Sequence, residues 1–245
     1  MSDDVVLDVR SISKSYGPVL ALDDVSFTLG RNAAMGLVGD NGAGKSTLLK
    51  ILNGYLKTDT GEIILNGEPV SFDSPQDAAT AGIAMTCQYM ALVDEATVWE
   101  NFFMGREHAT AYGPVKTLNK AKMIREVEEK LSQYGVESIH PRDNVRELTG
   151  GQKQILSISR SIESEPQVLM LDEPLTELSH NDRDSVLEFV KTLREQTDTS
   201  LILVSHDLEI VRDLVDDILI LNDGRKALTG TPSDLSTDHI VEQML

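Results

Sequence analysis

Short runs of apolar residues alternate along the chain with stretches in which apolar positions recur every three or four residues, the pattern of strands alternating with helices. Ala33–Val38, Val168–Leu171 and Leu201–Val204 are apolar on both faces, as central strands of a parallel sheet must be. Each run ends in polar residues: the glycine-rich stretch from Gly39, the pair Asp172-Glu173, and Ser205-His206. Ligands of open α/β sheets bind beyond the carboxyl ends of the strands, so three polar clusters are predicted on one rim. Met123, Val127 and Leu131 fall at helical spacing with Gly135 placed to close the helix, and Val186, Phe189, Val190 and Leu193 form a second stripe. The alternation from Val5 to Leu29, broken by Tyr16-Gly17-Pro18, predicts antiparallel strands. From about Asp77 to Ser164 the pattern is mostly helical and interrupts the sheet. No repeat, low-complexity tract or flexible linker is visible, and the fold class is α/β.

The chemistry follows from the strand ends. Gly39-Asp40-Asn41-Gly42-Ala43-Gly44-Lys45-Ser46 satisfies G-x-x-x-x-G-K-[ST] between an apolar strand and an amphipathic helix running from Lys45 to about Leu52. Glycines let successive N–H groups face a polyphosphate, and the following helix points its positive end at the same anion. Lys45 is then placed for the β- and γ-phosphates, and the Ser46 hydroxyl for Mg²⁺. A carboxylate ending a buried strand beside that loop can hold the same Mg²⁺, which assigns Asp172; Glu173 would activate or position the attacking water.

Charge removes one class of partner. The 245 residues carry a formal net charge of −18, and such a surface repels phosphate backbones, so nucleic acid is not an expected partner. A salt-rich cytosol that screens acidic self-repulsion is one origin of that charge, and an ordinary acidic protein is the other. The single cysteine, Cys87, permits no internal disulfide. The acidic start, Met1 to Asp8, is no signal peptide, and no run of about 18–20 apolar residues offers a spanning helix. A cytoplasmic protein, docking onto something else if it serves a membrane, is expected.

Leu148-Thr149-Gly150-Gly151-Gln152 opens an apolar-striped helix about twenty residues before Asp172 and resembles the L-S-G-G-Q signature of ATP-binding-cassette ATPases. The order of the other motifs agrees over nearly the whole chain. The resemblance implies a P-loop cassette with a RecA-like parallel-sheet core, an N-terminal antiparallel β subdomain and a helical signature subdomain. It divides residues 1–245 into a core of approximately 1–88 and 165–245 and a helical subdomain of 89–164. It also implies that Tyr16 stacks on adenine, that Gln88 senses the γ-phosphate and Mg²⁺, that His206 holds the γ-phosphate, and that Thr47 belongs to the phosphate loop. In this family two cassettes close head to tail around two ATP molecules, each held by the cradle of one and the signature of the other. Gly150 and Gly151 at a helix N-terminus fit that use, as an anion site that nothing in their own chain is expected to fill. The implied partners are therefore a second cassette, identical or paralogous, and permease transmembrane subunits at the inner face of the cell membrane.

Further stretches, Phe72-Asp73-Ser74-Pro75-Gln76-Asp77-Ala78, Ala81-Gly82-Ile83, Asn101 to Glu107 and the Ile155-Leu156 pair, look like the importers of ribose, xylose and fructose. That kinship implies an extracytoplasmic sugar-binding protein as an indirect partner. The alternatives are a soluble cassette serving iron–sulfur assembly, translation or DNA maintenance, and a regulator that pairs on ATP but barely hydrolyses it. Two departures stand out. Thr149 replaces the usual serine, and keeps a hydroxyl or serves only as a helix cap. Ser179 stands where the family often has aspartate, and reads as a helix N-cap with Asp182 at capping-box spacing. Trp99, Phe102 and Phe103 are either anchors for a permease or fillers of the helical core.

Overall fold

The computed structural model describes residues 4–86, 91–112 and 115–244. In chain order the elements are β1 (Val5–Tyr16), β2 (Val19–Gly30), β3 (Ala34–Val38), α1 (Lys45–Leu52), β4 (Thr60–Leu65), β5 (Glu68–Val70), α2 (Pro75–Ala81), β6 (Ile83–Thr86) and α3 (Val98–Phe103). There follow β7 (Ala109–Tyr112), β8 (Val115–Leu118), α4 (Lys120–Gln133), α5 (Gly150–Ile162), β9 (Val168–Asp172), α6 (His180–Gln196), β10 (Ser200–Val204), α7 (Leu208–Leu214), β11 (Asp217–Asn222), β12 (Arg225–Gly230) and α8 (Thr237–Met244). They fall into two compact units, one of Met1–Cys87, Ser164–Pro174 and Thr197–Leu245, the other of Gln88–Glu163 and Leu175–Gln196.

The first unit holds two sheets. One has the order β2-β1-β4-β5 and is antiparallel. The other runs β12-β11-β3-β10-β9-β6, parallel throughout except for β12. β3 and β10 are buried at every position, which is why their sequences show no alternation. Helix α1 lays Leu48, Leu49 and Leu52 into one core with Leu7, Ile12 and Leu22 of the antiparallel sheet and Leu37, Met170 and Ile202 of the parallel one. Each such side chain contributes about 1.5–3 kcal/mol by leaving water.

The second unit is mainly helical. Met123, Val127 and Leu131 are the buried stripe of α4, and Gly135 follows its end at φ 72°. In α6 the buried positions are Val186, Phe189, Val190 and Leu193, with Phe189 edge-on to Tyr134 at 5.7 Å. Trp99, Phe102 and Phe103 are buried too, so they fill this unit. Asn101, without exposed surface, accepts the Val93 N–H at 2.7 Å and donates to the Val93 and Thr97 carbonyls at 3.0 and 3.1 Å. Its buried amide is satisfied by backbone groups of the loop before α3.

The mostly helical expectation for 77–164 needs correction at two places. Ile83–Thr86 forms the edge strand β6, paired with β9, and β7 and β8 form a hairpin. A four-residue strand is too short for a period to show.

Candidate functional site

β3, β10 and β9 are neighbours, and their register sets Leu37 beside Val204 and Val204 beside Asp172. The three polar clusters therefore leave adjacent parallel strands at the same level, as their sequence positions predict. The loop after β3 turns into α1 through Gly44, whose φ is 100°. A Cβ there would lie 2.6 Å from the Ala21 carbonyl oxygen and 2.7 Å from Leu22 Cδ2. Glycine is required both by the left-handed backbone and by this approach to β2.

Lys45, the first residue of α1, is 8% exposed. Its Nζ donates to the Gly39 carbonyl at 2.6 Å and the Asp40 carbonyl at 3.0 Å. The ammonium thus sits inside the curl of the loop, among Gly39 to Gly44. Burial lowers its pKa, while the charges of Glu173, Asp40 and Asp172 raise it. Ser46 is exposed and Thr47 half-buried in the same first turn.

At the end of β9, burial pushes the Asp172 carboxyl above its ordinary pKa, and the neighbouring Glu173 charge adds to this; Lys45, Lys50 and His206 pull it back. Glu173 adopts φ 51°, and its N–H donates to the Val204 carbonyl at 3.1 Å. Leaving the strand this way turns its side chain toward β10, where Oε1 meets His206 Nε2 at 2.9 Å. Left-handed backbone at a non-glycine residue costs energy and concentrates at functional sites. The sequence placed Glu173 and His206 at two strand ends; their direct pairing was not legible.

Ser46 and Asp172 offer a hydroxyl and a carboxylate, hard oxygen donors of the kind Mg²⁺ takes. The charge bias at Asp172 fits a cation as well, since a second carboxylate beside it raises the cost of leaving both ionised. Tyr16 ends β1 opposite Val19 and is half-exposed at the hairpin tip. The contacts described tie the phosphate loop to Ala21 and Leu22 of that hairpin rather than to Tyr16. Gln88 lies outside the described residues, as does Cys87.

In the second unit, Leu148 is buried and Thr149 caps α5. The Thr149 hydroxyl accepts the Gln152 N–H at 3.2 Å, and the Thr149 N–H donates to Gln152 Oε1 at 2.9 Å. At this helix start the Thr149 hydroxyl and the Gln152 N–H are engaged within the chain. Thr149 Oγ1 donates to Asp182 Oδ1 at 2.6 Å, and the Asp182 carboxylate lies against Gly151. Ser179 adds its hydroxyl to Oδ2 at 2.8 Å and accepts the Asp182 N–H at 3.3 Å. The Thr149 and Ser179 hydroxyls, with the Gly151 N–H, hold the Asp182 carboxyl below its usual pKa. Gly150 and Gly151 admit this approach: a Cβ on Gly150 would sit 2.9 Å from Leu178 Cδ2, and one on Gly151 2.7 Å from Asp182 Oδ1. In the sequence Asp182 shows only as a capping residue, because its partner Thr149 is 33 positions away.

Residues 22–176 match the family model described as ABC transporter. The chain is 36% identical over 248 residues to a ribose import ATP-binding protein of Rhodopirellula baltica, covering 100% of this chain and 47% of that protein. It is 32% identical over 244 residues to a xylose/arabinose import ATP-binding protein of Sulfolobus acidocaldarius, covering 100% of this chain and 94% of that one. The chain thus spans about half the length of relatives of the first kind and nearly all of the second. Among solved structures, a nucleotide-free ATP-binding cassette from an ABC transporter superposes with a TM-score of 0.81 at 24% identity, covering 98% of this chain and 95% of that chain. That likeness concerns the fold.

Proposed function

This chain belongs to the ABC transporter family, and from that premise we propose that it binds and hydrolyses ATP to drive the import of a monosaccharide. The observation that carries the reading is the convergence of a phosphate-loop lysine, a carboxylate pair and a histidine on three adjacent strand ends. Triphosphate binding would draw the Lys45 ammonium off the Gly39 and Asp40 carbonyls and onto the β- and γ-phosphates, while backbone N–H groups of residues 39–47 close around the chain of phosphates. Ser46 and Asp172 would hold Mg²⁺, with Gln88 as a further ligand. When bound, the ion neutralises charge that develops on the phosphate oxygens.

Glu173 would accept the proton of the attacking water. His206, whose Nε2 lies 2.9 Å from Glu173 Oε1, would offer the γ-phosphate an N–H once that phosphate is present. Tyr16 would lie against the adenine ring. Leu148, Thr149, Gly150, Gly151 and Gln152 would face the ATP held by a second cassette, and pairing would move attached permease subunits. No helix among the described residues is long and apolar enough to cross a membrane; in this reading permease subunits would supply the spanning segments, with the cassette at their cytoplasmic face. The names of the relatives support a pentose or related monosaccharide, which an extracytoplasmic binding protein would deliver.

The test is steady-state hydrolysis of Mg²⁺–ATP by the purified chain, beside identification of membrane proteins that co-purify with it. Turnover lost in Glu173→Gln and recovery of a multi-spanning permease support the proposal. Full turnover in that variant removes Glu173 as base, and a soluble partner without a permease replaces import by another ATP-driven task.

A further inference from the structure

The Thr149 hydroxyl has one proton, and it is given to Asp182 Oδ1 at 2.6 Å. The same carboxylate packs against Gly151, where a Cβ would lie 2.7 Å from Oδ1. Phosphate oxygens of a nucleotide are acceptors, so they need the Thr149 donor that Asp182 already holds. A phosphate can take the Thr149 proton only when that hydroxyl turns away from Asp182. The half-buried carboxylate is then left with fewer donors and faces an incoming group of its own charge.

We propose that Asp182 is a built-in competitor for polyphosphate at the start of α5, setting the ATP concentration at which two cassettes pair. The proposal rests on the reading that this helix start serves the nucleotide of a second cassette. Two further observations support it. The second oxygen, Oδ2, is held by the Ser179 hydroxyl at 2.8 Å, which aims Oδ1 at Thr149 and gives the carboxylate a resting place when Thr149 leaves. The position of Gly151 is also matched to the competitor, since a side chain there would meet Asp182 Oδ1, Cβ and Cα at 2.7, 2.8 and 3.0 Å. The approach of Asp182 therefore asks for glycine as strictly as a phosphate would.

The experiment titrates the purified chain with Mg²⁺ and the non-hydrolysable analogue adenylyl imidodiphosphate, reading monomer and dimer by sedimentation velocity. Asp182→Asn removes the charge and keeps an oxygen for Ser179. The half-maximal analogue concentration should fall about fivefold or more, as expected for a charge-assisted hydrogen bond that no longer has to be broken. Thr149→Val should raise that concentration and cancel most of the gain when combined with Asp182→Asn. A merely structural Asp182 gives another pattern: a lower melting temperature with an unchanged or higher half-maximal concentration, which overturns the competition. If Thr149→Val also leaves pairing unchanged, the assignment of this helix start to a second nucleotide fails, and the competition with it. Should Asp182→Asn not fold, Asp182→Ser is neutral and smaller and carries the same expectation.

Discussion

The phosphate loop in the first unit and the start of α5 in the second are both helix N-termini rich in glycine, and they solve the same problem differently. After β3, the anchoring charge is a buried lysine turned onto its own loop carbonyls. Displacing it from those carbonyls leaves a cation, which a phosphate welcomes. At α5 the Thr149 hydroxyl is met by the Asp182 anion, and displacing that bond leaves a negative charge. One helix start presents a cation; the other faces an anion. Strand ends locked in register make the first rigid, whereas exposed hydroxyls and a half-buried carboxylate make the second exchangeable.

The largest effect expected is on chemistry at the strand ends. Glu173→Gln and Lys45→Ala should each lower ATP turnover by ~10²–10⁴-fold in a phosphate-release assay, the range for loss of a general base or a charge-stabilising group. If a change at α5 such as Asp182→Asn lowers turnover as far, the division between a chemical end and an exchangeable end breaks down. Next in size, Gly151→Ala should destabilise the fold by about 1–3 kcal/mol in urea unfolding, because its Cβ meets Asp182. Asp182→Ala should return part of that loss when combined with it, which would sharpen the claim that Asp182 is the neighbour the glycine accommodates.

A smaller effect concerns pH. The folded Asp172 carboxyl has a pKa above its unfolded value, chiefly through burial and then through Glu173. Its relative stabilisation is therefore fully present below the ordinary carboxylate pKa and is lost as pH rises through the folded value. Asp172→Asn should accordingly raise the melting temperature at neutral pH, with the gain vanishing in acid, while Mg²⁺-dependent nucleotide binding is lost. A gain that persists in acid would mean the strain lies elsewhere. The smallest effect is expected for Thr149→Ser, which keeps both the donor to Asp182 and the acceptor for Gln152. Stability within about 0.5 kcal/mol of the parent and an analogue concentration for pairing within about twofold would agree.

The residues by themselves determined the strands and their ends. Unbroken apolar runs at Ala34–Val38, Val168–Leu171 and Leu201–Val204 leave no solvated face, and a glycine-rich loop closed by Lys45 and Ser46 has a phosphate as its natural counterpart. The α/β class, the helix stripes and the three polar clusters follow from periodicity and residue chemistry. Other features needed the fold, because they depend on distances between residues remote in the chain. The order β3-β10-β9 decided that Glu173 meets His206. The packing of α6 against α5 decided that Asp182 reaches across 33 positions to Thr149. The packing of α3 against α4 and α5 buries Trp99, Phe102 and Phe103, which are open to two readings in the sequence. Local pattern records which face of an element avoids water, but a hydrogen bond between two elements exists only once both have been brought to within 3 Å by the packing of everything else.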